Sequence, residues 1–126
     1  MKSLDTNIVL RFLLNDVPSQ TAKAKTLLSR SHTYVTDVVV TEAVFVMESF
    51  FGLDRTSIAH LIRMLMAVPG LISSFFLQDV IDLYLARPAL SWVDCYAAIE
   101  AKISGNSLYT FDKKLRTQGG SHVVIP

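Results

Sequence analysis

The sequence has a single cysteine, Cys95, among 126 residues, so no disulfide can form within the chain. This is typical of a reducing compartment. The first residues do not resemble a signal peptide, because Asp5 and Arg11 interrupt their apolar region. No apolar run reaches the ~18 residues of a membrane span, since Arg63 breaks the longest candidate. We therefore expect a cytoplasmic protein without a membrane partner.

The chain also lacks an excess of one sign of charge. Its 12 Lys and Arg residues nearly balance 11 Asp and Glu residues, which leaves a net charge of +1. Any nucleic-acid binding must therefore depend on local basic patches. The three histidines, His32, His60 and His122, lie far apart and lack the spacing of zinc ligands. Apolar residues make up 51% of the chain, so a partner or a second copy is expected to cover some surface.

The length predicts one domain over residues 1–126, and short apolar runs alternate with helical patterns along it. Strands are predicted at Lys2–Asp5, His32–Thr36, Leu71–Phe76, Leu108–Thr110 and Val123–Ile125. Helices are predicted at Thr6–Asn15, Pro18–Leu28, Asp37–Phe51, Arg55–Val68, Gln78–Arg87, Ser91–Ser104 and Asp112–Gln118. Asp37 and Asp54 are the predicted N-caps of their helices, and Gly52 and Gly105 are predicted to end two of them. This alternation predicts an α/β fold with a mostly parallel sheet covered on both faces.

Two acids directly follow predicted strands. Asp5 ends the first strand, in the sequence LDTNIVL, and Asp112 follows Leu108–Thr110. Ligand sites in parallel sheets lie at the carboxyl ends of strands, so both acids are candidate site residues. The alternative for each is an N-cap of the next helix.

Glu42 and Asp94 are expected near the amino-terminal parts of helices that follow strands. Glu42 lies off the polar stripe of its helix, among valine and phenylalanine side chains, where a carboxylate needs a partner or a metal. The alternative is that it reaches water from the edge of that stripe. Asp94 is expected to complete a capping box with Ser91, although the small residues that follow it would also leave room for an ion.

Together these four acids suggest a metal centre, because such places converge on one edge of a parallel sheet. Unscreened carboxylates would repel one another by about 4 kcal/mol per pair at roughly 4 Å and an effective dielectric of ~20. A bound cation would turn the same carboxylates into ligands. All-oxygen ligation favours Mg²⁺ or Mn²⁺.

Four segments, LDTNIVLRFLLND, TEAVFVMESFFG, WVDCYAAIEAK and LYTFDKKL, resemble the PIN-domain ribonucleases in the order of that family, and in particular the VapC-type toxins of toxin–antitoxin pairs. The resemblance implies a three-layer α/β/α sandwich with a mostly parallel central sheet. It places the family's acidic quartet on Asp5, Glu42, Asp94 and Asp112, as catalytic residues and ligands of Mg²⁺ or Mn²⁺. It places the accompanying polar residues on Thr6, Asn7 and Thr110, of which Asn7 and Thr110 are expected to hold the carboxylates in place.

The same resemblance implies divalent-metal-dependent cleavage of RNA, a homodimer, and inhibition by a cognate antitoxin. Arg11 and the cluster Lys113, Lys114 and Arg116 are candidate contacts of the phosphate backbone, or else plain surface residues. The apolar stretch Ile58–Val68 is expected to be core, with a dimer face or an antitoxin groove as its alternative.

Two non-enzymatic readings compete with the nuclease. One is a PIN-like domain that binds RNA or protein without cleaving it, although an intact quartet argues against this. The other is a receiver-type signalling module, which also gathers acids around Mg²⁺. Such modules have two adjacent acids early and a lysine after a late strand, whereas here Asp5 is followed by Thr6 and the late strand ends in Thr110.

Overall fold

The computed structural model describes residues 1–126 and has seven helices and five two-residue strands. The strands are β1 (Lys2–Ser3), β2 (Thr33–Tyr34), β3 (Leu71–Ile72), β4 (Leu108–Tyr109) and β5 (Val123–Val124). The helices are α1 (Thr6–Leu14), α2 (Pro18–Arg30), α3 (Asp37–Ser49), α4 (Arg55–Met66), α5 (Leu77–Ala86), α6 (Trp92–Ile103) and α7 (Lys113–Gln118). They form two compact units, Met1–Ser74 and Phe75–Pro126.

The first unit contains a three-stranded parallel sheet in the order β1-β2-β3. Its register aligns Lys2 with Thr33, and Thr33 with Leu71. Helix α1 packs against α2, α3 and α4. The fully buried side chains of this unit include Val9, Val40, Val44, Met47, Ile58, Ile62 and Leu65. One face of the predicted Ile58–Val68 stretch is thus core, since Ile58, Ile62 and Leu65 are buried, whereas Met64 is 48% exposed.

The second unit contains the parallel pair β4-β5, in which Leu108 aligns with Val123. Helix α5 packs against α6, and the buried rings of Tyr84 and Trp92 meet edge to face at 5.3 Å. All five strands lie within their predicted ranges but are shorter than predicted, and every strand pairing is parallel as expected. None of the helices is both long and apolar enough to traverse a bilayer.

The third strand is shorter than the predicted Leu71–Phe76, because its partner leaves the sheet. Val35 N still donates to Ile72 O at 3.0 Å, but the next residue, Thr36, caps α3. No backbone therefore remains beside Ser74, whose Oγ instead donates to Asp37 Oδ2 at 2.8 Å. The ends of β2 and β3 are joined by this side-chain hydrogen bond.

Helices α3 and α4 show how the predicted N-caps compare with the structure. Asp54 Oδ1 accepts from Ser57 N at 2.8 Å and so caps α4, as predicted. The prediction that Asp37 caps α3 is wrong, since the cap is Thr36, whose Oγ1 accepts from Val39 N at 3.2 Å. A threonine hydroxyl is also a favourable N-cap, and the Asp37 carboxylate accepts from Ser74 Oγ across the sheet edge instead.

Candidate active site

Asp5 occupies the N-cap position of α1 without acting as a cap. Its backbone is extended (φ −85°, ψ 161°), yet its side chain accepts no capping hydrogen bond. The residue is exposed, while the adjacent Thr6 is 6% exposed. The N-cap alternative for the Asp5 side chain is therefore wrong. Both oxygens of this carboxylate are open to a ligand.

The carboxyl edge of the three-stranded sheet gathers polar residues within the first unit. Leu4 N donates to Tyr34 O at 2.9 Å, so the register continues to the level of Asp5 and Thr36. On the other side of β2, Ser74 is hydrogen-bonded to Asp37. Asp5 thus stands at the edge where parallel α/β sheets bind ligands.

Glu42 lies on the outer surface of α3. Val38 and Phe45, one turn to either side, are themselves 78% and 65% exposed. The Glu42 carboxylate is exposed and makes no hydrogen bond or ion pair. The structure thus supports the alternative that Glu42 reaches water, and the expected burial among apolar side chains is wrong. Its oxygens are unengaged, like those of Asp5.

Asp94 completes the predicted capping box of α6. Its backbone N donates to Ser91 Oγ at 3.0 Å, and its Oδ2 accepts from Ser91 N at 3.1 Å. Its other oxygen, Oδ1, has no hydrogen bond and the side chain is half-buried. Contrary to prediction, α6 follows helix α5 rather than a strand. The Ala98 and Ala101 side chains beyond it are buried, as close helix packing requires.

Asp112 is an N-cap, as its alternative predicted. Its Oδ1 accepts from Lys114 N at 2.8 Å and from Leu115 N at 3.2 Å. Thr110 Oγ1 accepts from Asp112 N at 3.0 Å, so Thr110 fixes the backbone of this acid rather than its carboxylate. Capping leaves Oδ2 unengaged, so the cap and the predicted ligand role can coexist in one side chain.

The donor chemistry of the four acids fits a hard divalent ion. Asp5 and Glu42 have both oxygens free, and Asp94 and Asp112 each have one. Carboxylate oxygens are the ligands that Mg²⁺ and Mn²⁺ prefer. No group of three or more His, Cys, Asp or Glu side chains is gathered as a metal site, so the meeting of all four acids stays a prediction.

The candidate cations differ in availability. Lys113, Lys114 and Arg116 are exposed and their side chains have no partner. Arg11 is instead held by Asp16 at 2.7 Å and by Gln20 Oε1 at 3.0 Å. It ties α1 to α2, so its predicted role at a phosphate is not supported. The cluster that follows Asp112 remains a candidate phosphate contact.

An open cavity of about 620 Å³ between α1 and α2 was not predicted from the sequence. Asn7 lines it together with Ile8, Gln20 and Lys23. Asn7 is exposed and makes no hydrogen bond, so nothing fixes its amide against a carboxylate. Its predicted role in holding Asp5 remains a prediction.

A family model described as PIN domain matches residues 2–120, which include all four acids. No curated protein matches the chain. PIN domains are generally nuclease domains that use divalent metal ions, and such a domain implies RNA binding. The predicted fold class, an α/β PIN-like fold with parallel strands, is confirmed. The match covers nearly the whole sequence, and the chain therefore belongs to the PIN domain family.

Proposed function

We propose that this protein is a divalent-metal-dependent endoribonuclease, and that it is the toxin of a type II toxin–antitoxin pair. The observation that carries the proposal is the PIN domain match over residues 2–120. The carboxylates of Asp5, Glu42, Asp94 and Asp112 support it, since each keeps at least one oxygen that accepts no hydrogen bond within the chain. A single domain, a homodimer and a cognate antitoxin are part of the same proposal.

Asp5, Asp94 and Asp112 would hold Mg²⁺ or Mn²⁺, and Glu42 would hold the ion or orient the attacking water. The ion, when bound, polarises a phosphodiester oxygen and lowers the pKa of a bound water. Attack of water on phosphorus, in line with the 3′ oxygen, would form a new oxygen–phosphorus bond and break the bond from phosphorus to the 3′ oxygen. The products would be a 5′ phosphate and a 3′ hydroxyl, which takes up the proton that the water loses. Lys113, Lys114 and Arg116 would contact neighbouring phosphates.

Hydrogen bonds of this chain would limit the movement of two of the acids. Thr110 holds the backbone of Asp112, and Ser91 N donates to one oxygen of Asp94. In both acids a single carboxylate oxygen accepts the capping hydrogen bonds, and the other has no partner within the chain. Such fixed partners reduce the freedom that a carboxylate loses when it holds an ion.

The direct test is incubation with total RNA in Mg²⁺, with and without EDTA, followed by mapping of the new ends. We expect 5′ phosphates that disappear with EDTA. Asp5→Asn is the sharpest variant, since its side chain makes no hydrogen bond to lose. Asp54→Asn is the matched control, because Asp54 is an acid outside the predicted site. Equal cleavage by Asp5→Asn and wild type would refute the metal role.

The toxin role has a separate test. Induced expression of the wild-type chain should arrest bacterial growth, and Asp5→Asn should not. A neighbouring reading frame that encodes a small DNA-binding protein should restore growth when it is co-expressed. Growth arrest by both chains, or by neither, would count against a toxin that acts by cleavage, while purified cleavage activity would still stand. The mass in solution tests the homodimer.

A further inference from the structure

Two exposed aromatic side chains lie beside Asp112 and have no role in the fold. Phe111 is 85% exposed and Tyr109 is 65% exposed. Neither ring contacts another aromatic ring. Two large exposed rings within three residues contribute little to core packing, so a role in binding explains them better than a role in packing does.

The two rings flank a residue that is paired with β5. Thr110 N donates to Val124 O at 3.0 Å, so this pairing extends one residue past the end of β4 at Tyr109. The chain then bends at Phe111. Leu108 and Thr110 are half-buried, whereas Tyr109 and Phe111 are exposed. The two exposed rings are thus only two residues apart in a short segment whose backbone is held by β5.

The same segment is basic and firmly held. Lys113 and Lys114 follow Phe111 within three residues, and their ammonium groups have no partner. Thr110 Oγ1 accepts from Asp112 N at 3.0 Å, and Asp112 Oδ1 accepts from Lys114 N at 2.8 Å. Phe111 is thus presented by a turn with hydrogen bonds on both sides. We name Tyr109, Phe111, Lys113 and Lys114 the aromatic–basic surface.

We propose that the aromatic–basic surface binds single-stranded RNA, with two bases stacked on Tyr109 and Phe111 and flanking phosphates on Lys113 and Lys114. Exposed aromatic rings beside unpaired cations are how proteins hold single strands, because unpaired bases expose faces that a duplex hides. A protein interface is less favoured here, since lysine is depleted at such interfaces. The inference rests on the proposed function and adds to it the residues that hold the bases and phosphates next to the cleaved bond.

Binding is measured without cleavage, using the full chain in EDTA and a short RNA that carries the fluorescent base 2-aminopurine. We expect Phe111→Ala and Tyr109→Ala each to weaken binding by about 5- to 100-fold, and to reduce the quenching of the base by stacking. Phe111→Trp should bind within about 2-fold of wild type. Phe111→Leu, which keeps apolar bulk without a ring, should resemble Phe111→Ala. Phe50→Ala, at an 81% exposed ring just after α3, is the matched control and should bind normally.

Salt dependence separates stacking from phosphate contacts. Lys114→Gln should reduce the slope of log affinity against log salt by about 0.7, the value for one phosphate of a single strand. Phe111→Ala should weaken binding at every salt concentration and leave that slope unchanged. Lys114→Gln keeps the backbone hydrogen bond from Lys114 N to Asp112, so the turn is preserved.

Several results would overturn the inference. Unchanged binding by Phe111→Ala, full binding by Phe111→Leu, or no RNA binding by the wild type would each do so. An altered mass in solution with unchanged RNA binding would assign the surface to a protein contact instead. Ring-dependent binding without any cleavage in Mg²⁺ would support the inference and refute the nuclease proposal, so the two can fail separately.

Discussion

Asp112 combines a structural and a proposed chemical role, and two substitutions separate them. Its Oδ1 accepts from Lys114 N at 2.8 Å and from Leu115 N at 3.2 Å at the start of α7. Its Oδ2 is left for the proposed ion. Asp112→Ala removes both functions. Asp112→Asn keeps a carbonyl oxygen for the cap and removes the negative charge.

The expected magnitudes differ for stability and activity. Loss of an N-cap side chain costs about 1 kcal/mol, which lowers Tm by about 3–5 °C in a chain of this size. Asp112→Asn should stay within about 1 °C of wild type, because Asn and Asp cap equally well. Cleavage should fall by at least about 100-fold in both variants. Replacing a residue that only hydrogen-bonds to a metal ligand lowers metal affinity or activity by about 10- to 100-fold. Here the ligand itself is lost, so the fall in activity should be at least as large.

The assays are thermal unfolding followed by circular dichroism, and cleavage of a defined RNA over a range of Mg²⁺ concentrations. Asp54 supplies the matched pair, since its Oδ1 caps α4 through Ser57 N at 2.8 Å and it lies outside the predicted quartet. Asp54→Ala should lower Tm, and both Asp54 variants should cleave normally below their Tm. Normal cleavage by Asp112→Asn would refute the ligand role of Asp112. A Tm for Asp112→Asn as low as that of Asp112→Ala would refute the capping argument.

Three further predictions concern stability. Ile62→Ala, at a fully buried site of α4, should lower the free energy of unfolding in urea by about 2–5 kcal/mol. Phe50→Ala, at an exposed site, should change it by no more than about 0.5 kcal/mol, and equal losses would contradict the burial of Ile62. Thr33→Val should leave the free energy of unfolding unchanged or raise it by up to about 1–3 kcal/mol, because the buried Oγ1 of Thr33 has no hydrogen-bond partner. A lower free energy of unfolding would show that the Thr33 hydroxyl does have a partner. The backbone and side-chain hydrogen bonds from Ser57 lower the pKa of Asp54 below its ordinary value of 3.8, so its stabilising effect is complete above about pH 4 and disappears as the pH falls through the folded-state pKa. The difference in Tm between wild type and Asp54→Ala should narrow with acidification, and a constant difference would contradict the linkage.

Much of the helical structure was predictable because its signals are local. Pro18 begins α2, Asp54 caps α4, and Ser91 with Asp94 forms a capping box, all as predicted. Each of these signals acts within four residues, so neighbours in the sequence suffice to define it. The Thr36 cap was missed in favour of Asp37 because both side chains can cap, and only the hydrogen bond to Ser74 decides between them.

The length of the strands and the solvent exposure of the acids were less predictable. Strand β3 ends at Ile72 because β2 leaves the sheet, which the sequence around Leu71–Phe76 does not record. Glu42 was expected among apolar neighbours, yet Val38 and Phe45 are exposed with it. A helical wheel gives the angle between side chains but not which side of the helix the rest of the protein covers.

The sequence alone determined the alternation of helices and strands, the order of the four acids and the family, since these follow from local chemistry and motif order. The tertiary structure decided which groups are already engaged: Arg11 by Asp16, one oxygen of Asp94 by Ser91, and neither oxygen of Asp5. Engagement depends on atoms that the folded backbone brings within about 3 Å, and hydrogen bonds lose most of their strength beyond that distance. A carboxylate's availability for an ion is therefore a property of the fold rather than of the residue.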